Sequence, residues 1–403
     1  MIFAIDAKVN PVDEEKWTGE NENVAIMTLT PESPWKSPDI FPVRPDTSEY
    51  GYLAGKKMVG CSREELIKRC SRDEIPAIHL VWTSETPRLV PPAEVAFLFD
   101  GIRLRSRKRC KAALWSGIAN CFIWGMMALL NLNTGGAGGI SLLPFLFLGV
   151  MPTIQGVQGL RKLRSYSPEA MAAEIDIVRS ATWVQTRNVV FTWVLLACIS
   201  VVGLAQLFCG LEKSIEAAGL VKSAVWHGQA WRLVTCAMLH GSILHFVFNA
   251  SALLQLGRVT EVLTHRVYLV IVFATSALIG SLFSLFLLPN ITSIGASGGL
   301  LGLIGFLAAF GYYHKHSLPP GFLRSILLSI AFIAGIGLFA HQYIDNACHF
   351  GGLVSGIALG MLLINRTDPN FASVPSKSAL LLGWFAVGAI LLTTFLSLYE
   401  IAK

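Results

Sequence analysis

Charge is what this sequence has least of. Lys, Arg, Asp and Glu make up 14% of the 403 residues, against roughly 25% in an ordinary soluble domain. Mean hydropathy is +0.56 and 53% of residues are hydrophobic. A wholly soluble chain is thereby excluded, and a polytopic membrane protein is implied. The shortage is local. Of the 32 Lys+Arg, 17 lie before residue 112, as do 17 of the 26 Asp+Glu. The first quarter therefore reads as soluble and the remainder as membrane.

Other absences narrow the chemistry. The eight cysteines (Cys61, Cys70, Cys110, Cys121, Cys198, Cys209, Cys236 and Cys348) show no CxxC spacing and no metal pattern. They are expected unpaired and mostly buried in helices, where a free thiol packs as a small hydrophobe. There is no H-E-x-x-H for a metalloprotease and no Gly-x-Gly-Asp for an intramembrane carboxylate pair. Neither a metal nor a cofactor is expected. No basic stretch leads directly into an apolar one at the N-terminus, so no signal peptide is expected. The basic clusters behind the pI of about 8.9 flank apolar runs. They read as topology at a bilayer surface and imply no nucleic-acid partner.

What is present begins with a mixed polar segment. Residues 1–102 are expected to form a small soluble α/β domain. "SREELIKRC" reads as a helix capped by Ser62 with Glu65 three residues on, and "AIHLVW" and "AEVAFLF" as strands. The cations of "RLRSRKRCK" then precede a long apolar run, residues 112–133. "TGGAGG" reads as a turn, and a second run returns to "RKLR" at 161–164, making a hairpin whose basic ends share one side. Residues 165–187 are amphipathic and are expected on the membrane surface. Further spans are expected near 189–209, 233–256, 264–288, 297–313, 322–340, 349–365 and 377–398, about nine in all. Cations such as Arg258, Arg266, Lys315, Arg324, Arg366 and Lys377 recur on the side of the first clusters. The positive-inside rule then places the N-terminus in the cytoplasm and the C-terminus outside.

Candidate chemistry lies at the outer ends of these spans. Gly295-Ala296-Ser297-Gly298-Gly299 puts a hydroxyl where an outer loop enters a helix. Unpaired N–H groups and the positive dipole end of that helix aim at the same point, which are the parts of an oxyanion site. A packing motif with a capping serine would look the same on this stretch alone. A nucleophile elbow of the soluble α/β type needs a preceding strand, and here a long apolar run precedes, so that fold is rejected. A serine needs a base. His240, His245 and Asn249 lie in one span, the last two on one helical face. His349 opens a later span, followed by Gly352, Gly356 and Gly360 at intervals of four. Glycines so spaced allow close approach to the Ser297 helix.

Taken together, these residues resemble the rhomboid family of intramembrane serine proteases. Gly295-Ala296-Ser297-Gly298 matches the family's GxSG. His240, His245 and Asn249 match its H-x4-H-x3-N, and His349 with its glycines its late His-x-x-G. Trp231-Arg232 precedes the second core span, and Gly257 and Glu261 follow it, as in that family. The resemblance covers about residues 189–365. It implies an all-α polytopic fold with a six-helix core, here carrying two extra N-terminal spans, one extra C-terminal span and the small α/β domain. The corresponding parts are 1–102, 103–188, 189–366 and 377–403.

The resemblance implies roles residue by residue. Ser297 would be the nucleophile and His349 the general base. His245, Asn249 and the Ser297 backbone N–H would hold the oxyanion. His240 would support the site through loop hydrogen bonds, alongside Gly295, Gly298, Trp231 and Arg232. Segment 210–232 would be a half-submerged loop beside the site. Asp345, four residues before His349, is read as a solvated loop acid, because the resembled family uses none. The substrates implied are transmembrane proteins, in a bilayer expected to be a bacterial plasma membrane. An inactive homologue that binds membrane clients is the alternative. A transporter would need inverted repeats, and none is found.

Overall fold

A computed structural model of the chain describes residues 33–72, 80–132, 144–365 and 375–403. The expected "TGGAGG" turn, the start of the expected strand at 77–82 and Arg366 lie outside them. The chain divides into two compact units, Pro34–Thr186 and a second made chiefly of Arg187–Lys403.

In the first unit a three-stranded antiparallel sheet has β1 (Tyr50–Ala54) between β2 (Lys57–Cys61) and β3 (Val81–Trp82). The β1–β2 hairpin turns through Gly55 at φ +61°, a conformation open to glycine. Helix α1 (Arg63–Arg72) starts as its cap dictates: the Ser62 hydroxyl accepts the Glu65 amide at 3.2 Å. Residues 93–99, expected as a strand, instead form 3-10 turns that lead into α2 (Phe99–Leu132). Leu98 and Ile102 there join Leu66, Cys70 and Val81 in one buried core.

Helix α2 continues into its apolar run and packs along a π-helical turn, Phe145–Val150, and α3 (Met151–Arg164). Two short helices follow, α4 (Pro168–Ala173) and α5 (Ile175–Thr186). Their apolar residues, expected at a membrane surface, pack on the protein. Met171 sits in the α/β core, with Ile175 and Val178 against it. Trp183 packs on Trp35 at 5.7 Å between ring centroids. Arg179 binds the Glu94 carboxylate through two bonds of 2.9 and 3.0 Å and the carbonyls of Trp35 and Ser37.

The second unit is helical. Its long helices are α6 (Phe191–Cys209), α10 (Ile243–Leu263), α11 (Arg266–Leu287), α12 (Ser297–Tyr313), α13 (Phe322–Phe339), α14 (Asn346–Leu363) and α15 (Lys377–Ala402). Three short helices, α7 (Leu211–Ala218), α8 (Lys222–Trp226) and α9 (Arg232–Thr235), lie between α6 and α10. Among the described residues, six helices are long and apolar enough to cross a membrane, including α2, and seven if the bent segment 232–263 counts as one. The expected continuous span at 233–256 is a correction. Arg232–Met238 meets Ile243–Leu263 at 91°. The break falls where Ser242 is extended and its hydroxyl caps α10 by accepting the His245 amide at 3.1 Å. The cysteines are all free, but three rather than most are fully buried: Cys70, Cys198 and Cys236.

Helix α12 is the centre of this unit. Every residue from Gly298 to Gly311 is buried, with α14, α11 and α10 around it. Its 17 residues rise about 25 Å, short of the roughly 30 Å of a bilayer core. Glycines set the contact with α14. A side chain at Gly352 would meet the Gly298 carbonyl, and one at Gly356 the Gly302 carbonyl. The two backbones touch, as small residues allow in membranes.

Candidate active site

Ser297 opens α12, and the loop before it is pinned on both sides. Gly295 has φ +121°, a region L side chains avoid. Its amide donates to the Cys236 carbonyl at 2.9 Å. A Cβ there would fall 2.9 Å from Nε2 and Cε1 of His245 and 3.8 Å from the Ser297 hydroxyl. The absent side chain is therefore the space that His245 and Ser297 share.

His245 and Asn249 lie one turn apart on α10, and the Asn249 amide donates to the His245 carbonyl at 2.9 Å. That leaves its second N–H for another acceptor. His240 is 2% exposed and stacks edge-on against His245, 5.2 Å between centroids, and against Phe246. Its loop contacts run through its backbone. Gln206 takes both its N–H, at 2.9 Å, and its C=O, at 3.1 Å, while its ring nitrogens bond to nothing among the described residues. Gln206, 1% exposed on α6, was not singled out from the sequence.

His349 sits in the first turn of α14, which begins three residues earlier than expected, at Asn346. Cys348 beside it packs its sulfur against Gly298, beside Ser297. The first turns of α12 and α14 are thus in contact. His349 lies within electrostatic range of both His245 and Asp345. No hydrogen bond joins the Ser297 hydroxyl to the His349 ring among the described residues. Such bonds are commonly long before substrate arrives.

Asp345 is not the solvated loop acid expected. It caps α14, accepting the Cys348 amide at 2.9 Å, and it bonds to the Ser284 hydroxyl of α11. Ser284 meets the Ser293 hydroxyl at 2.9 Å, and Ser293 bonds to the ammonium of Lys222. Lys222, 2% exposed, also donates to the Ile291 carbonyl. Leu220 and Ser293 exchange backbone bonds of 3.0 and 3.3 Å. One buried polar chain so ties segment 210–232 to the loop before Ser297 and to the cap of the His349 helix. The sequence signal was Lys222 itself, a cation on the side with few cations. Burial lowers its pKa.

Arg232 belongs to the same scaffold, whereas the buried Trp231 indole N–H has no hydrogen-bond partner among the described residues. Arg232 donates to the Gly219 carbonyl at 2.7 Å and to Gln229 at 2.6 Å, and Thr235 to the Ala218 carbonyl at 2.7 Å. Gly257 gives room to Thr192, 3.0 Å from where its Cβ would lie. The Glu261 carboxylate accepts the backbone amides of Val190, Phe191 and Thr192 at 2.7, 3.1 and 2.9 Å and the Thr192 hydroxyl at 2.8 Å. It supplies acceptors to the open N–H groups that begin α6.

Residues 227–366 match the family described as Rhomboid domain. This chain carries a rhomboid domain. It is 34% identical over 161 residues to RHOMBOID-like protein 6, mitochondrial, of Arabidopsis thaliana, covering 39% of this chain and 51% of that one. To the rhomboid protease GluP of Bacillus subtilis it is 32% identical over 173 residues, 41% of this chain and 33% of that one. To Rhomboid-like protease 3 of Toxoplasma gondii it is 28% identical over 205 residues, 50% of this chain and 75% of that one. The chain spans about half the length of the first curated relatives it matches. The rhomboid fold and the apolar helices together make it an integral, multi-pass membrane protein.

Proposed function

We propose that this rhomboid-domain chain is an intramembrane serine protease that hydrolyses transmembrane proteins near one face of the membrane. Ser297 is the nucleophile and His349 the general base. Attack of the Ser297 oxygen on the scissile carbonyl passes its proton to His349, which returns it to the leaving amine. Water then hydrolyses the acyl-enzyme by the same route. His245, Asn249 and the Ser297 backbone N–H receive the oxyanion, and each such donor is worth about 10²–10³-fold.

The observation that carries this reading is the glycine at 295. It leaves a space bordered by the His245 ring and the Ser297 hydroxyl, at the N-terminus of a helix. The buried polar chain from Lys222 to Asp345 supports it, since polar groups at membrane depth need partners and usually mark a working site. Names of relatives such as GluP also favour a protease. Within this reading, residues 1–102 are a soluble domain, 103–188 a hairpin and linker, 189–366 the protease core and 377–403 an additional helix. The positive-inside pattern puts the N-terminus in the cytoplasm. Relatives from a plant, an apicomplexan and a bacterium do not select a bacterial plasma membrane, and the proposal assigns none.

The second reading, a client-binding homologue without activity, separates cleanly. Purified chain and its Ser297→Ala variant are incubated with a fluorophosphonate and with a single-span substrate. Labelling and cleavage by the wild type alone are expected. Equal cleavage by both would overturn the assignment, and an unlabelled, inert wild type that still retains the substrate would favour the second reading.

A further inference from the structure

Helices α2 and α3 run antiparallel, and glycines hold them together through the apolar zone. Gly117 lies against Thr153, Gly149 against Cys121, Gly156 against Leu114 and Gly159 against Cys110. Beyond Gly159 the small residues stop, and α3 continues Leu160-Arg161-Lys162-Leu163-Arg164. Bulky side chains then face α2, and the helices border an open cleft of about 610 Å³. That is within the roughly 300–1,000 Å³ of small-molecule sites.

The cleft is lined by four cations, Arg103, Arg107, Lys111 and Arg164, and one carboxylate, Asp100. The α2 residues fall at spacings of three, four and four, one face of a helix. Arg103 donates to the Leu163 carbonyl at 3.3 Å, near the end of α3. Arg107, Lys111 and Arg164 have no ion-pair partner among the described residues. Against the single carboxylate of Asp100, these cations leave the cleft with a net positive lining that favours an anion. The remaining lining is Leu104, Leu160 and Leu163, and Leu104 is 46% exposed. Lys111 immediately precedes the apolar run, so the cleft lies where the chain passes from water into hydrocarbon.

We propose that this cleft binds the phosphate headgroup of an anionic phospholipid. Arg107, Lys111 and Arg164 take the phosphate oxygens, and the leucines take the glycerol and upper acyl chain. The chemistry is that of a phosphate ester. The apolar lining and the interfacial level select a lipid over a free phosphate, as in basic pockets between membrane helices.

The test uses the full chain, stripped of lipid in detergent and examined by native mass spectrometry with phosphatidylglycerol, phosphatidylcholine or inorganic phosphate. Arg107→Gln/Lys111→Gln/Arg164→Gln empties the cleft of free cations. Lys57→Gln/Lys108→Gln/Arg161→Gln removes the same charge elsewhere. The wild type is expected to hold phosphatidylglycerol well above phosphatidylcholine. The cleft triple should lose roughly 100-fold in retention, while the control triple stays within about twofold of the wild type. Equal loss in both triples, or no preference for the anionic lipid, overturns the proposal. So does inorganic phosphate that binds alone and displaces the lipid at equal concentration. If melts show the cleft triple unfolded, Arg107→Gln, on an exposed position, carries the same comparison with Lys108→Gln.

Discussion

Asp345 bonds to the Ser284 hydroxyl through one carboxylate oxygen, while its other oxygen accepts the Cys348 amide at 2.9 Å. Both oxygens are committed to holding the start of α14. An asparagine caps a helix about as well as an aspartate, and its NH2 can donate to the Ser284 hydroxyl oxygen where the second carboxylate oxygen accepted. Asp345→Asn should therefore keep turnover of a single-span substrate within about tenfold. A carboxylate orienting the base would lose about 10⁴-fold on the same change, and a loss of that size would make Asp345 a third member of the catalytic group.

Asn249→Ala should weaken catalysis less than His349→Ala. The base removes the serine proton, a step worth roughly 10²–10⁴-fold, and no second histidine stands on α14. Asn249 already spends one N–H on the His245 carbonyl, so one donor at most is lost, at about 10²–10³-fold. His245 and the Ser297 amide remain. Turnover of one substrate by both purified variants, with matched melts, decides it. An Asn249→Ala enzyme as dead as His349→Ala would show the amide to be indispensable.

Lys222→Met should lower turnover by about 10–100-fold while KM stays near the wild-type value. The ammonium holds Ile291 and Ser293, four to six residues before Ser297. Misplacement by about 1 Å can cost 10²-fold. Lys222→Arg keeps the charge and donors and should recover part of the loss. Unchanged kinetics in Lys222→Met would show that the buried chain does not position the serine.

Arg179→Ala should destabilise the first unit by about 1–3 kcal/mol at neutral pH, because it strands a partly buried carboxylate. Burial already raises the Glu94 pKa above its ordinary value, against the opposing pull of Arg179. A carboxyl whose pKa is higher folded than unfolded favours the folded state once protonated. The deficit should therefore be largest at pH 7 and shrink as pH falls through the folded pKa of Glu94. Thermal melts of both chains at pH 4 and pH 7 measure it, and a deficit that grows on acidification contradicts the argument.

Much of the core was legible. The α12 boundaries were read as found because Gly295 and Ala296 break the chain just before a continuous apolar run, and Ser62 announced α1 through its cap. The bend before Ile243 was not legible. An apolar window counts hydrophobic residues without regard to direction, and "CAMLHGSILHF" is apolar on both sides of the break. The run 93–99 was mistaken for a strand because a short apolar stretch fits either period. The β1–β2 hairpin escaped because its turn, Gly55-Lys56, lacks the usual Asn-Gly signal. Lys222 and Gln206 escaped because their partners are backbone carbonyls, amides and serines, which leave no pattern of spacing. Gly257 and Glu261 were noticed only through a family likeness, and their contacts with Thr192 supply the reason for them.

Because α12 is buried from Gly298 to Gly311, that stretch has no lipid-facing side. A photoactivated carbene dissolved in the acyl chains would tag the outward residues of α15, such as Leu381, Trp384 and Phe385, each more than 60% exposed except where a neighbour shields it. It would pass over residues 298–311 entirely. The stretch that follows the serine would thus be chemically silent from the membrane, although it lies in the middle of a membrane protein.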